Sequence, residues 1–498
     1  MAKIDFSDIQ GLVRFGYGRL KAAAFLLLEV ADPAAARTWL AAAPVTTAEY
    51  LETPPRTALQ VAISASGLRA LGVEPEIVAM FPQPFLAGMA GEASRSRRLG
   101  DIGPNDPANW QWGRPEPHLL VLLYAEEGGL EAFAAEVAGA DFERGFKVVR
   151  RLPTSTLRGR EPFGFIDGIS EPKIDWDESF TTDLHSRLDY ANLLAPGEVV
   201  LGYANEYQEV TPRPLVDPDV PGADLLPEAR DAAGRHDLGM NGSFLVLRQL
   251  QQDVRGFWRF VDAAAGHDPE KREALATAMV GRRRDGRPLI RDERRIPGGR
   301  ADNNFTYDDD VDGLVCPVGA HIRRANPRTG DHPPGVRGFW AWLFSTLGFR
   351  RREDGLEGRH DLVASTRFHR LVRRGREYGS ILPVEEALDP ALGAGGAGEE
   401  RGLHFICLCA NLVRQFEFVQ NAWIASARFD GLRGETDPLL GNREPLAGGT
   451  RTDGFSRPQV SGVTERARGL PAFVTVEGGA YFFLPGIRAL RFIASRGG

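Results

Sequence analysis

A histidine, an aspartate and an arginine, set in three separate stretches, are the side chains whose types and settings suit redox or acid–base chemistry. His321 closes the short apolar run Cys316-Pro317-Val318-Gly319-Ala320 and is followed by Arg323, Arg324, Asn326-Pro327 and Arg328. The Pro-x-Gly turn fixes how the backbone enters, and Asn-Pro ends the segment. A neutral imidazole held this way can ligate a metal, with the arginines beside it to meet a cofactor that carries carboxylates. The plainer reading is a structural histidine satisfied by its neighbours.

The second stretch, residues 160–172, contains Gly164-Phe165-Ile166-Asp167-Gly168. Two glycines let the backbone turn sharply and present one carboxylate to a cavity, or simply make an Asx turn. The third, residues 369–379, is rich in arginine. If it is extended, Leu371 and Arg373 share one face and Val372 and Arg374 the other, so one arginine can point inward while the rest are solvated. The fourth, residues 402–410, alternates in the same way. Leu403, Phe405, Cys407 and Cys409 fall on one face and His404 on the other, so a zinc site built from His404 and the cysteines would need diverging ligands. Buried, apolar cysteines are the expectation.

These residues need a scaffold, and the chain is long enough for two domains. It has 498 residues, 43% hydrophobic and 26% charged, with a net charge of −7. That is globular composition with no basic bias towards nucleic acid or anionic lipid. The arginine runs at 282–284 and 350–352 are short and expected to lie on solvated faces. No apolar run approaches the roughly 18 residues that span a bilayer, and residues 1–10 lack a signal pattern. Three cysteines do not make a disulfide framework, so a reducing, cytoplasmic location is expected.

Strand and helix patterns alternate. Residues 24–30 read as a strand, and Asp32-Pro33 caps a helix running to residue 43. Residues 57–64 and 118–124 are strands, 130–138 a helix and 145–152 a strand, giving β-α-β-β-α-β, the ferredoxin-like order. The order recurs with a strand at 243–248, a helix at 254–264, strands near 369–374 and at 402–410, a helix at 412–423 and a closing strand near 472–484. In both halves a Phe-Leu-x-Leu strand leads to a helical tryptophan fourteen positions on, from Phe25 to Trp39 and from Phe244 to Trp258. The expected fold class is therefore α+β, a duplicated ferredoxin-like unit with antiparallel sheets. The expected domains are 1–210, ending in the Asp167 motif, and 234–498, interrupted by an insertion at 281–367.

Taken together the stretches resemble the dye-decolorizing peroxidases. Asp8-Ile9-Gln10-Gly11 is similar to that family's opening motif, Gly164 to Gly168 to its Gly-x-x-Asp-Gly motif, and residues 310–328 to its haem-ligand segment. Residues 373–379 and 402–405 resemble its later pocket segments. The matches run from residue 8 to beyond 420, and their order is far more specific than any one of them. The length of the insertion resembles the longer subgroups. The resemblance implies one haem b per chain in the C-terminal unit, held non-covalently, since no Cys-x-x-Cys-His is present. It implies His321 as proximal iron ligand, Asp167 as acid–base residue and Arg373 as the distal arginine. It also implies a propionate-binding role for Arg323, Arg328 or Arg337, with Leu403 and Phe405 as apolar walls. The implied reaction is reduction of hydrogen peroxide through a ferryl and porphyrin-radical intermediate, followed by one-electron oxidation of dyes or phenolic compounds. No nucleic-acid or membrane partner is implied, and monomer and homo-oligomer stay equally open.

A proximal imidazole needs an acceptor for its second nitrogen; Glu417, Asn411 and Asp437 are the candidates. Trp340, Trp342 and Tyr378 are candidate surface relays for substrates too bulky to reach a buried cofactor. The main rival is a haem-binding or haem-delivery protein, which would keep His321 but would not need Asp167 beside Arg373. A further rival, a ferredoxin-like interaction module, would need no haem.

Overall fold

The computed structural model describes residues 4–157, 159–177, 193–290, 303, 305–328, 366–389, 391, 400–444 and 449–497. Most of the expected insertion at 281–367 lies outside these residues.

Both halves form the expected unit. In the first, β1 (Ala22–Val30) leads to α1 (Pro33–Ala42), then β2 (Thr57–Ile63), β3 (Leu119–Ala125), α2 (Leu130–Val137) and β4 (Phe146–Pro153). Helix α1 starts where it does because Asp32 accepts from the amides of Ala34 and Ala35 and Pro33 takes the first helical position. In the second half, β5 (Ser243–Gln252) leads to α3 (Val254–Ala264) and α4 (Pro269–Val280), then to the short α5 (His321–Ala325). After it come β6 (Val372–Arg373), β7 (Arg376–Tyr378), β8 (Gly402–Cys409), β9 (Val474–Leu484) and α6 (Ile487–Ala494). The two tryptophans of the repeated pattern sit on α1 and α3. Both are buried, at 7% and 0% exposure, Trp39 against Phe142 and Phe146 and Trp258 against Phe257 and Phe165.

The strands make one nine-stranded sheet in the order β6-β8-β5-β9-β2-β3-β1-β4, with β7 also paired to β8. Each half contributes the same permutation (fourth, first, third, second), and the pairings are antiparallel. The halves meet at β9 and β2 through a single register pair, Phe483 with Ile63. Side chains complete that seam. Gln10 donates to the Val61 and Pro485 carbonyls at 2.7 and 2.9 Å and accepts from the Val61 amide at 2.9 Å. Asp8 accepts from Asn241 and from the Arg488 amide, both at 2.7 Å. The core crosses the same line, with Phe81 and Phe85 packed on Phe244 and Phe483.

Two elements differ from expectation. The helix expected at 412–423 is built of wide turns, Val413–Glu417 and Val419–Ile424, in which the Glu417 amide bonds the carbonyl five residues back. Its buried polar side chains select that geometry: Gln415 reaches the Glu198 and Arg370 carbonyls, and Glu417 pairs with Arg95 and Tyr481. The strand near 369–374 shrinks to β6, because residues Thr366–His369 form a tight turn.

Candidate active site

The Asp167 loop follows β4 of the first half, yet it is docked on the second. Phe163 packs on Phe257 at 4.6 Å, Phe165 lies parallel to Trp258, and Trp258 donates its indole hydrogen to the Phe163 carbonyl at 3.2 Å. Glu161 braces the turn by accepting from the amides of Phe163 and Phe165 at 2.9 Å and from Gln252 at 3.0 Å. Burial pushes its carboxyl up to about 7. Gly164 and Gly168 adopt φ of +101° and +69°, so the turn requires them.

That loop delivers Asp167 to a cavity of about 260 Å³, whose wall also includes His321, Arg373, Leu403 and Phe405. Measured by where a water molecule's centre can sit, this is roughly twenty times what one water needs, a space suited to a large ligand. Asp167 Oδ1 accepts from the Gly168 amide at 2.7 Å and from Arg373 Nη1 at 3.0 Å, leaving Oδ2 for a ligand. Arg373 Nη2 and its backbone amide both reach Glu171, each at 2.7 Å. Asp167 and Arg373 keep 42% and 35% side-chain exposure because both line the cavity. Burial alone would raise the Asp167 carboxyl. The Arg373 guanidinium and the Gly168 amide outweigh it and hold the group below the usual carboxylate range. Asp167 and then Glu171 raise the Arg373 guanidinium, so it is a fixed cation.

His321 opens α5, and its Nδ1 lies 3.0 Å from Asp437 Oδ2, which selects Asp437 from the three candidate acceptors. Glu417 is committed to Arg95 and Tyr481, and Asn411 caps the turn at Arg414. Asp437 is fully buried, and its Oδ1 accepts from the amides of Leu439 and Leu440 at 2.9 and 2.8 Å. Burial disfavours the charged forms of both partners, but their attraction prevails: Asp437 is lowered and His321 raised. With Nδ1 tied to the carboxylate, Nε2 remains for a ligand.

Of the arginines considered for propionates, Arg328 lines the cavity. Arg323 does not: it is buried, donating to Asp310 and to the Cys316 carbonyl, which accounts for its place beside His321 in sequence. Arg337 lies outside the described residues, as do Trp340 and Trp342. Tyr378 is buried, stacked on His404 at 4.5 Å, and so is no surface relay. The sequence reading missed Arg282. Expected on a solvated face, it is 4% exposed and lines the cavity with Arg328, His369 and Arg370. Burial, then the like charges of Arg328 and Arg373, depress it to about 10. Glu161 and Glu171 were missed too; the only trace either left was its closeness to Asp167 in the chain. Cys316, Cys407 and Cys409 are free and buried, and no cluster of metal-ligating side chains occurs among the described residues.

This donor set fits haem. A carboxylate-backed imidazole would offer iron a nitrogen ligand, Leu403, Phe405, Phe416 and Ile424 supply apolar wall, and Arg282, Arg328 and Arg370 supply positive charge that would suit haem carboxylates. With a carboxylate–guanidinium pair on the same cavity, fold and site have the parts that a haem peroxidase on paired ferredoxin-like units would need. No family model matches the chain. A dye-decolorizing peroxidase of Mycetinis scorodonius is 27% identical, the match covering 99% of this chain and 88% of the relative. One of Exidia glandulosa is 28% identical, over 98% and 87%. A solved dye-decolorizing peroxidase in complex with 2,6-dimethoxyphenol superposes with a TM-score of 0.68 at 22% identity, over 99% of this chain and all of that one. Over nearly its whole length, then, the chain is similar to dye-decolorizing peroxidases in sequence and in fold.

Proposed function

We propose that the chain is a haem b peroxidase that reduces hydrogen peroxide and oxidises dyes and phenolic compounds in one-electron steps. The observation that carries this is the Asp167–Arg373 pair on the wall of the cavity that also receives His321 with Asp437 behind it. Haem, when bound, supplies the iron that takes up peroxide and the oxidising equivalents passed to the reductant.

The remaining chemistry belongs to the chain. Peroxide must lose a proton from one oxygen and regain it on the other before the bond between them breaks. The Oδ2 of Asp167 is free to carry that proton. Arg373 keeps Asp167 ionised and supplies fixed positive charge where negative charge develops. His321, its Nδ1 held by Asp437, would give the haem iron a basic imidazole nitrogen. Overall, one peroxide and two hydrogen-donating reductant molecules yield two waters and two one-electron-oxidised products. The proposal includes one haem per chain, held without thioether bonds and supported by the one His321–Asp437 pair. It also includes a cytoplasmic location, supported by the buried free thiols and tested by cell fractionation.

The test is to load purified protein with haem and titrate it with peroxide while recording the absorption spectrum. A Soret band that changes on one equivalent of peroxide, then recovers on adding 2,6-dimethoxyphenol, is the expected result. A haem-loaded protein spectrally silent to peroxide would leave a haem carrier instead.

A further inference from the structure

Strand β6 is two residues long and stands at the end of the sheet, so the outward amide of Arg373 has no strand to bond. Glu171 takes that amide on Oε2 and the same residue's Nη2 on Oε1, both at 2.7 Å. One carboxylate thus holds the backbone and the tip of a single arginine. The other terminal nitrogen, Nη1, goes to Asp167 Oδ1 at 3.0 Å. Asp167 and Glu171 lie four residues apart on one loop, separated by the left-handed Gly168. Two carboxylates therefore compete for one guanidinium, and the cluster carries a net negative charge.

We propose that Glu171 is a positioning residue for the peroxide reaction, fixing Arg373 by backbone and side chain at once and dividing its charge with Asp167. This rests on the peroxidase reading above and deepens it. A lone arginine on a two-residue edge strand has many rotamers; Glu171 leaves it one, with Nη1 turned to Asp167. The second anion also tempers Arg373, so that Asp167 keeps enough basicity to accept a proton from peroxide. The other groups facing Asp167 are Glu161 on its own loop, Glu377 on β7 and His321 on α5; Arg282, after α4, faces Arg373.

Two variants separate the two parts of the proposal. Glu171→Gln removes the charge and keeps a polar bridge, while Glu171→Ala removes both bonds. In haem-loaded protein, the pH dependence of cyanide affinity reads the acidity of the distal base without turnover. Its acid limb should move down by about 0.5–1 unit in Glu171→Gln, because Arg373 then acts on Asp167 alone. A limb that stays put or moves up overturns the charge sharing. In Glu171→Ala, hydrogen exchange at the Arg373 amide should quicken by about tenfold or more, the amide having lost its acceptor. Parental exchange there overturns the positioning role. The exchange measurement needs no haem, so its failure is distinguishable from a failure of the peroxidase reading, which would show as parental protein that does not respond to peroxide.

Discussion

Replacing Asp437 by asparagine tests the proximal side more sharply than removing His321, because nearly all the shape survives. Asp437 Oδ1 already accepts from two amides, Leu439 and Leu440 at 2.9 and 2.8 Å, and Oδ2 faces His321 Nδ1 at 3.0 Å. An asparagine there has one oxygen. Turning its amide nitrogen to the Leu439 and Leu440 amides would leave two buried donors unsatisfied, so the oxygen must stay with them. The amide nitrogen then points at His321 Nδ1 as a donor. The imidazole answers by keeping its proton on Nε2, the atom that has to bind iron. Losing a charge-assisted bond to a buried carboxylate costs about 1.5–3 kcal/mol, so haem affinity should fall by about 10–150-fold. Outer-shell partners of ligating histidines typically carry 10–100-fold effects, which agrees. The assay is equilibrium haem titration of apoprotein followed at the Soret band, with thermal melting to show the variant is folded. A folded Asp437→Asn protein that binds haem as tightly as the parent would refute the assignment of Asp437 as the group that sets the tautomer.

Asp167→Asn should slow the stopped-flow reaction with peroxide by about 100–10,000-fold while haem affinity stays parental, the range for a positioned proton carrier. Because Asp167 is lowered, the peroxide step should hold into the acid range and fail only as pH falls through that depressed value. Arg373→Leu removes the opposing cation, leaves burial to dominate, and should move the acid limb up by about 1–3 units in a pH series of the same stopped-flow rate. Trp258→Ala should cost about 3–5 kcal/mol in denaturant unfolding, since the side chain is fully buried, and should slow the peroxide reaction in the protein that remains folded.

The scaffold was legible because its signals are local. The Phe-Leu-x-Leu strands, the Asp32-Pro33 cap and the spacing to Trp39 and Trp258 lie within about one strand and helix each; period-two alternation put Leu403 with Phe405 and Leu371 with Arg373 on shared faces, and the family resemblance pointed to which of these residues face the cavity. Asp437 could only be put among three candidates. Its hydrogen bond spans 116 residues, and no spacing rule reaches that far. Arg282 shows the opposite error. A short run of arginines reads as a solvated face, but the turn after α4 buries one member, whose guanidinium donates to the Gly286 carbonyl at 2.8 Å and to Asn303 at 2.7 Å. The wide turns at 413–424 were invisible because helix periodicity over a dozen residues barely distinguishes them from an α-helix.

The joint between β2 and β9 is thin in backbone bonds, and Gln10 does much of the work of setting its alignment. Slack at such a shoulder would misalign an active site assembled across it. Here it does not, because the segment carrying Asp167 is an arm that reaches over from the first half and is gripped at its far end by Trp258 and Arg373. Both holds on that arm come from the second half, so the carboxylate at its end is placed by the same unit that carries His321.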